Sequence, residues 1–249
     1  RWAGDRLVPR RLKLPGNLFI IGTVNVDETT YMFSPKVLDR ANAMESRMHV
    51  AEVTSFLRSP RAVDLSVIDG RGMRFANAFV ASTMDTHVSV PESISAAFVT
   101  EMDLFFRLLQ AHNSEFGYRT IYESARFTHF FRLLSEHPNY GDSWFWGAMD
   151  CVIIQKLLPK LHGSRSQLEG LLWGLAWACG AERDGIEGED FVAAALKASA
   201  ASDDALGPES LALALGSREA GARYPMSFDK VMRMWRRLVR DQFTSFAEA

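Results

Sequence analysis

Past Pro91 the apolar residues of this chain recur at helical spacing, while ahead of it one stretch, residues 18–26, reads as a buried strand. That imbalance limits the fold more than any other feature. A stable sheet needs several strands, so one strong strand and many helices predict a small α/β remnant followed by a mainly helical body. Leu18 to Ile21 are apolar on both faces, as in a central strand, and Gly22-Thr23-Val24-Asn25 follows at once. Ser34 is an N-cap candidate with Pro35 at the first helical position, and Val37, Leu38 and Ala41 share one face. Met48 to Val53 alternates weakly and is read as a second strand.

From Arg58 to Ala81 the pattern is mixed, with Gly70-Arg71-Gly72 as a turn, and the segment reads as a connector or insertion. Helices are expected from Pro91-Glu92 to about Ala111 and from about Arg119 to Ser135. A third runs from Ser143 to Leu158, capped by Asp142 and stopped by Pro159; a fourth runs from Gln167 to Cys179, between Ser164 and Gly180. Glu189 to Ala200 is an Ala-rich helix, and Ala201 to Ala222 is loose and Ala/Gly/Ser-rich. Ser227 caps a last helix, Phe228 to Arg240, with Met232, Trp235 and Leu238 on one side. The expected domains are 1–57, a 58–90 connector and a helical domain over 91–249.

With 47% hydrophobic and 23% charged residues the chain can build a core and is not disordered. A net charge of −2 gives no whole-molecule field for nucleic acid, though a local basic groove stays open. Cys151 and Cys179 lie in apolar helical contexts without metal-ligand spacing, as expected of buried thiols in a reducing cytosol. The longest apolar run, Leu168 to Cys179, is too short to span a membrane. The opening RWAGDRLVPRRLKL lacks the apolar core of a signal peptide and leads straight into the buried strand, which suggests a cut through a larger protein. The six histidines show no HxxxH pair, against a metal site, and no GxSxG elbow is present.

The chemistry-bearing positions start with Asn25. An amide at the end of an apolar strand can orient a water or bond a phosphate oxygen; the alternative is a turn residue that caps the loop. No GxxxxGK[ST] phosphate loop occurs in the sequence, and no apolar strand ends in a paired Asp-Glu.

GTVNVDETTYMFSPKVLDRANAME, residues 22–45, resembles the sensor-one strand and following helix of the McrB branch of AAA+ ATPases, the motor subunits of modification-dependent restriction systems. MoxR-type ATPases are more distant relatives. The resemblance makes Asn25 the sensor of the γ-phosphate. Two departures stand out. Asn25 and Asp27 are one residue apart where many such proteins have Asn-x-x-Asp, and Met44-Glu45-Ser46 replaces a pair of arginines. The arginine that reaches a neighbouring subunit's γ-phosphate is then assigned to Arg40, with Arg47 in reserve. A planar, permanent cation suits charge developing on a transferred phosphoryl group. The alternative for Arg40 is a surface pair with Asp39 or Asp27.

Phe116-Gly117-Tyr118-Arg119 resembles the entry to the lid helix of the same families, which makes Arg119 the sensor-two arginine folding over the nucleotide; a solvated first-turn arginine is the alternative. QKLLPKLHGS, residues 155–164, resembles a run common in the lids of this branch and reads as a structural corner broken by Pro159 and Gly163. Lys156, Lys160 and His162 could instead line a nucleotide or subunit edge. Tyr224-Pro225-Met226-Ser227 and Phe243-Thr244-Ser245-Phe246 also look family-like and close the lid core. Trp144, Trp146, Trp173 and Trp177 read as core before nucleobase stackers, and Met232 to Arg237 as a solvated basic face before a DNA contact.

The resemblance implies the C-terminal half of an AAA+ P-loop NTPase module. Residues 1–57 would close its α/β core and 91–249 would form its lid. ATP or GTP with Mg²⁺ would be held mostly by residues outside this sequence, with Asn25, Asp27, Arg47 and Arg119 as the nucleotide contacts within it. The implied partners are the N-terminal half of the module, ring neighbours of the same chain, and an McrC-like nuclease subunit. DNA would be reached through that nuclease or an N-terminal domain, in cytoplasmic bacterial defence. A different class of function is a non-catalytic helical scaffold derived from such a motor.

Overall fold

The computed structural model describes residues 11, 13–23, 35–38, 40–88, 90–135, 143–180, 193, 196–197 and 222–249. The chain divides into two compact units, one formed by Arg1–Asn25 with Arg47–His87 and the other by Val26–Ser46 with Val88–Ala249. Over the described residues it is mainly helical, with one two-stranded sheet.

In the larger unit, α1 (Pro35–Leu38) precedes α4 (Glu92–Ala111), α5 (Tyr118–Leu134), α6 (Ser143–Val152), α7 (Arg165–Gly180) and α8 (Pro225–Asp241). The smaller unit holds α2 (Val50–Arg58) and α3 (Ala76–Met84). The α4 helix forms as its spacing predicts: Ile94, Phe98, Met102, Phe105 and Leu109 recur every three or four residues and are all buried. Asn113, in the left-handed region at φ 53°, ends the run, and Ser114 N–H closes on Leu109 O at 2.8 Å. The α5 helix instead buries only Thr120, Ser124 and Thr128. Their hydroxyl stripe needs no outside partner at two of its steps, because Ser124 Oγ donates to Thr120 O and Thr128 Oγ1 to Ser124 O.

The α6 helix passes into a π-turn, Ile153–Leu157, then a 3-10 turn, Leu158–Lys160. Pro159 has no N–H to return to the Gln155 carbonyl four residues back. The Ala43 N–H takes that carbonyl at 3.1 Å. The expected corner at 155–164 therefore contains more than a break. It also supplies β1 (His162–Ser164), which pairs antiparallel with β2 (Phe243–Ser245), Gly163 facing Thr244. Gly163 sits at φ 155°, and a Cβ there would come within 2.7 Å of Gln167 Oε1.

The last helix starts earlier than its sequence suggests. Pro225 takes its first position, and the cap comes from α6: Asp150 accepts from Met226 N–H at 2.9 Å, Ser227 N–H at 2.8 Å and Ser227 Oγ at 2.6 Å. Ser227 is thus a donor to the cap and not the cap itself. Trp144, Trp146, Trp173 and Trp177 are partly buried and packed against the core, with Trp173 edge-on to the buried Trp235.

Two strand expectations are corrected. Residues 18–23 form no strand, and Ile20 and Ile21 are each 87% exposed; no described segment offers them a ladder, and a lone strand leaves its N–H and C=O groups unpaired. Met48 to Val53 is not a strand either. Val50–Arg58 is helical, with Glu52 Oε2 accepting His49 N–H at 2.9 Å in the first turn. In the 58–90 stretch Asp64 caps a short 3-10 turn through Ser66 N–H, and Phe19 packs on Phe79 with rings 4.9 Å apart. The expected helix at Glu189 to Ala200 lies largely outside the described residues.

Candidate functional site

Asn25 and Asp27 lie outside the described residues. Arg47 is exposed in the smaller unit. Arg40 and Arg119 are both in the larger unit and both exposed, and neither guanidinium has a hydrogen-bond or ion-pair partner among the described residues.

The 3-10 turn at Leu158–Lys160 brings their elements together. The short α1 helix packs beside that turn, and Arg40 follows it directly, its N–H bonded to Val37 O at 3.0 Å. From the same turn Lys160 Nζ reaches Thr120 Oγ1 at 3.5 Å, one residue past Arg119 on the first turn of α5. Two cationic side chains thus leave from elements that share one anchor. Tyr118, at 92% exposed, stands beside Arg119 and leaves the entrance of α5 open to solvent. Of the three polar residues in the 155–164 run, Lys156 is buried, Lys160 is half-buried and His162 is exposed with Nδ1 3.1 Å from Lys160 O.

Arg40 is held from its C-terminal side as well. Residues 40–46 form a strap, fixed at Ala43 by the Gln155 carbonyl and at Glu45 by α8. Glu45 receives Arg233 through both carboxylate oxygens, Nη1 to Oε1 and Nη2 to Oε2, each at 2.9 Å, and Lys230 Nζ at 3.2 Å. Burial alone would push the Glu45 carboxyl up; Arg233 and Lys230 outweigh it and hold the group below the usual glutamate range. Asp150 behaves oppositely. Its burial raises the carboxyl above the usual value despite the hydrogen bonds from Ser227 and Met226.

Sequence reasoning missed both acids as organisers. Glu45 was visible only as a departure from an arginine pair, and nothing near Asp150 in sequence marks it as the cap of a helix beginning 75 residues later. The basic face of α8 is in turn more paired than expected: Arg233 bonds Asp229 and Glu45, while Arg240 bonds Asp241. Elsewhere, an open groove on the smaller unit is lined by Ala51, Glu52, Ser55, Phe56, Ser59 and Arg61, all from α2 and the turn after it. Its polar groups do not converge from several elements as in a built ligand site. No described helix is long and apolar enough to cross a membrane.

Neither a curated protein nor a solved structure matches this chain. A family model described as a domain of unknown function, DUF8727, matches residues 68–243. That span runs from the end of the 3-10 turn that Asp64 caps to the first residue of β2, and so takes in Arg119, the 155–164 run and Asp150, but not Arg40 or Glu45. It covers well over half of the sequence, and the chain belongs to the DUF8727 family.

Proposed function

We propose that this chain supplies the helical lid and the nucleotide-responding strap of an McrB-like AAA+ nucleoside triphosphatase. One observation carries the reading. Arg40 and Arg119, the two guanidinium groups that the motif resemblance singles out, leave from elements joined at the Leu158–Lys160 turn, both exposed and without a described partner. Two permanent cations on elements that share an anchor suit a polyphosphate, whose charge planar guanidinium groups match well. In this reading Arg40 and Arg119 converge on the triphosphate of one nucleotide held between adjacent protomers, and Asn25 senses its γ-phosphate. The phosphate loop, the Mg²⁺ ligands and the water-activating acid come from outside the sequence, and the hydrolysis drives a DNA-acting, McrC-like partner.

Hydrolysis of ATP and GTP by the assembled protein, including the segment or subunit that carries the phosphate loop, tests the reading. Arg40→Ala is expected to lower kcat by about 10³-fold, the scale on which arginine fingers act. Arg119→Ala is expected to raise KM, and Asn25→Ala to lower kcat. Unchanged turnover in all three variants would remove the reading.

A second reading, a non-catalytic helical scaffold, draws on the smaller unit. None of its described residues is buried, and Ile20, Ile21, Val50, Leu57, Phe75 and Phe79 are exposed. An apolar surface of that kind is characteristic of an interaction face. Assembly without nucleotide turnover would favour it.

A further inference from the structure

The strap residue Glu45 meets two cations that also hold the 246–249 tail. Lys230 Nζ donates to Glu45 Oε1 and, at 2.8 Å, to the backbone oxygen of Ala249, while lying 4.2 Å from the centre of the Phe246 ring. Arg233 Nη1 donates to the same Ala249 oxygen at 2.6 Å and to Glu45 at 2.9 Å. The Lys230 side chain is only 1% exposed and that of Arg233 14%. Strap, α8 and tail therefore share one partly dehydrated charge cluster, in which the Glu45 carboxylate sits between two positive groups a single helical turn apart.

We infer that Glu45 is a positioning residue, a carboxylate latch that fixes the Arg40 strap on α8 and joins release of the strap to loosening of the 246–249 tail. The physics is that of like charges held close. With the carboxylate in place, Lys230 and Arg233 can converge on one backbone oxygen. Without it they repel across a weakly screened space, and the tail loses the geometry that both donors provide. Within the strap, Ala43 adds a single hydrogen bond to the Gln155 carbonyl and a partly buried methyl group against the core, too little to hold residues 40–46 alone. The latch stands without any nucleotide; its consequence for Arg40 rests on the proposed NTPase reading.

Hydrogen exchange on the whole chain, in the absence of nucleotide, separates the two. In Glu45→Gln, amides of residues 40–46 and of 246–249 are expected to exchange about ten-fold faster or more, while α4 and α7 amides keep their rates. Arg233→Gln should reproduce the pattern from the opposite side of the pair. Asp229→Asn, which removes another partner of Arg233 but leaves Glu45, should not. Unchanged exchange in 40–46, acceleration there with the tail unmoved, or equal acceleration in Asp229→Asn would each overturn the latch. In the assembled protein, Glu45→Gln is expected to lower kcat more than it raises KM. Faster exchange combined with unaffected turnover would leave the latch standing and count against the NTPase reading.

Discussion

The two units of this chain spend similar sequence very differently. In the larger unit, α4, α7 and α8 bury Phe105, Leu108, Leu172, Leu175 and Leu238 completely, and buried polar groups such as Asp150 and Glu101 are hydrogen-bonded, the latter to Tyr224 Oη at 2.8 Å. In the smaller unit, residues of equal hydrophobicity, among them Val50, Leu57, Ile68 and Phe79, stay largely in water. Hydrophobicity alone therefore does not separate them. What differs is the number of elements available to cover each face: α2 and α3 are nine residues each, and two short helices cannot enclose one another's apolar sides.

The sharpest way to break that contrast is to cut side chains from both units. Leu172→Ala is expected to cost about 3 kcal/mol in urea unfolding, the range for a fully enclosed leucine, and Ile21→Ala no more than about 0.5 kcal/mol. Equal costs would mean that the smaller unit has a core of its own. Asp150→Ala should come next, at about 2–3 kcal/mol, because it strands the N–H groups of Met226 and Ser227 together and leaves the Ser227 hydroxyl only the backbone oxygen of residue 150. Removing the comparable first-turn acceptor of α2, Glu52→Ala, should cost at most about 1 kcal/mol in the same assay.

Gly180→Ala sharpens the picture within the larger unit. Alanine favours a helix over glycine by about 1 kcal/mol. Here the added Cβ would lie 2.6 Å from Phe228 Cε2, so the substitution is expected to destabilise by about 1–3 kcal/mol, read as a lowered Tm. A raised Tm would show that the α7–α8 contact is looser than described.

The smallest effect is the pH dependence of the strap. Because the Glu45 carboxyl is held below its ordinary value of 4.5, its stabilisation is present above that value and is lost as pH falls through the lower folded value. Urea midpoints of Glu45→Gln should then lie below those of the parent at pH 6 and converge with them in acid. Asp150 contributes with the opposite sign. Its raised value means that stability is gained as pH falls, so Asp150→Asn should flatten that part of the profile.

What was legible in the sequence follows the same divide. The α4, α5, α7 and α8 helices could be read because their signals are local, apolar spacing and Gly180 at a helix end among them, although the start of α8 at Pro225 was placed three residues late. Three features could not. The strands at 162–164 and 243–245 are three residues each and exist only because they meet across α7 and α8. Asp150 caps a helix distant in sequence, and Glu45 gains meaning only beside Lys230 and Arg233. The run at 18–23 misleads for the converse reason, since apolar β-prone residues make a strand only where a neighbour completes the ladder. Of the candidate site, residue types pointed to Arg40 and Arg119, but their common anchor at Lys160 is a product of the fold.

The central claim is that Arg40 and Arg119 serve one polyphosphate ligand. A titration of the whole chain with Mg²⁺–ATP and Mg²⁺–GTP, followed through backbone amide resonances, addresses it most directly. The account predicts weak binding in which the amides of Arg40, Ala41, Tyr118, Arg119 and Thr120 shift together and saturate along one curve. Shifts confined to one of the two segments, or two curves with different midpoints, would contradict it.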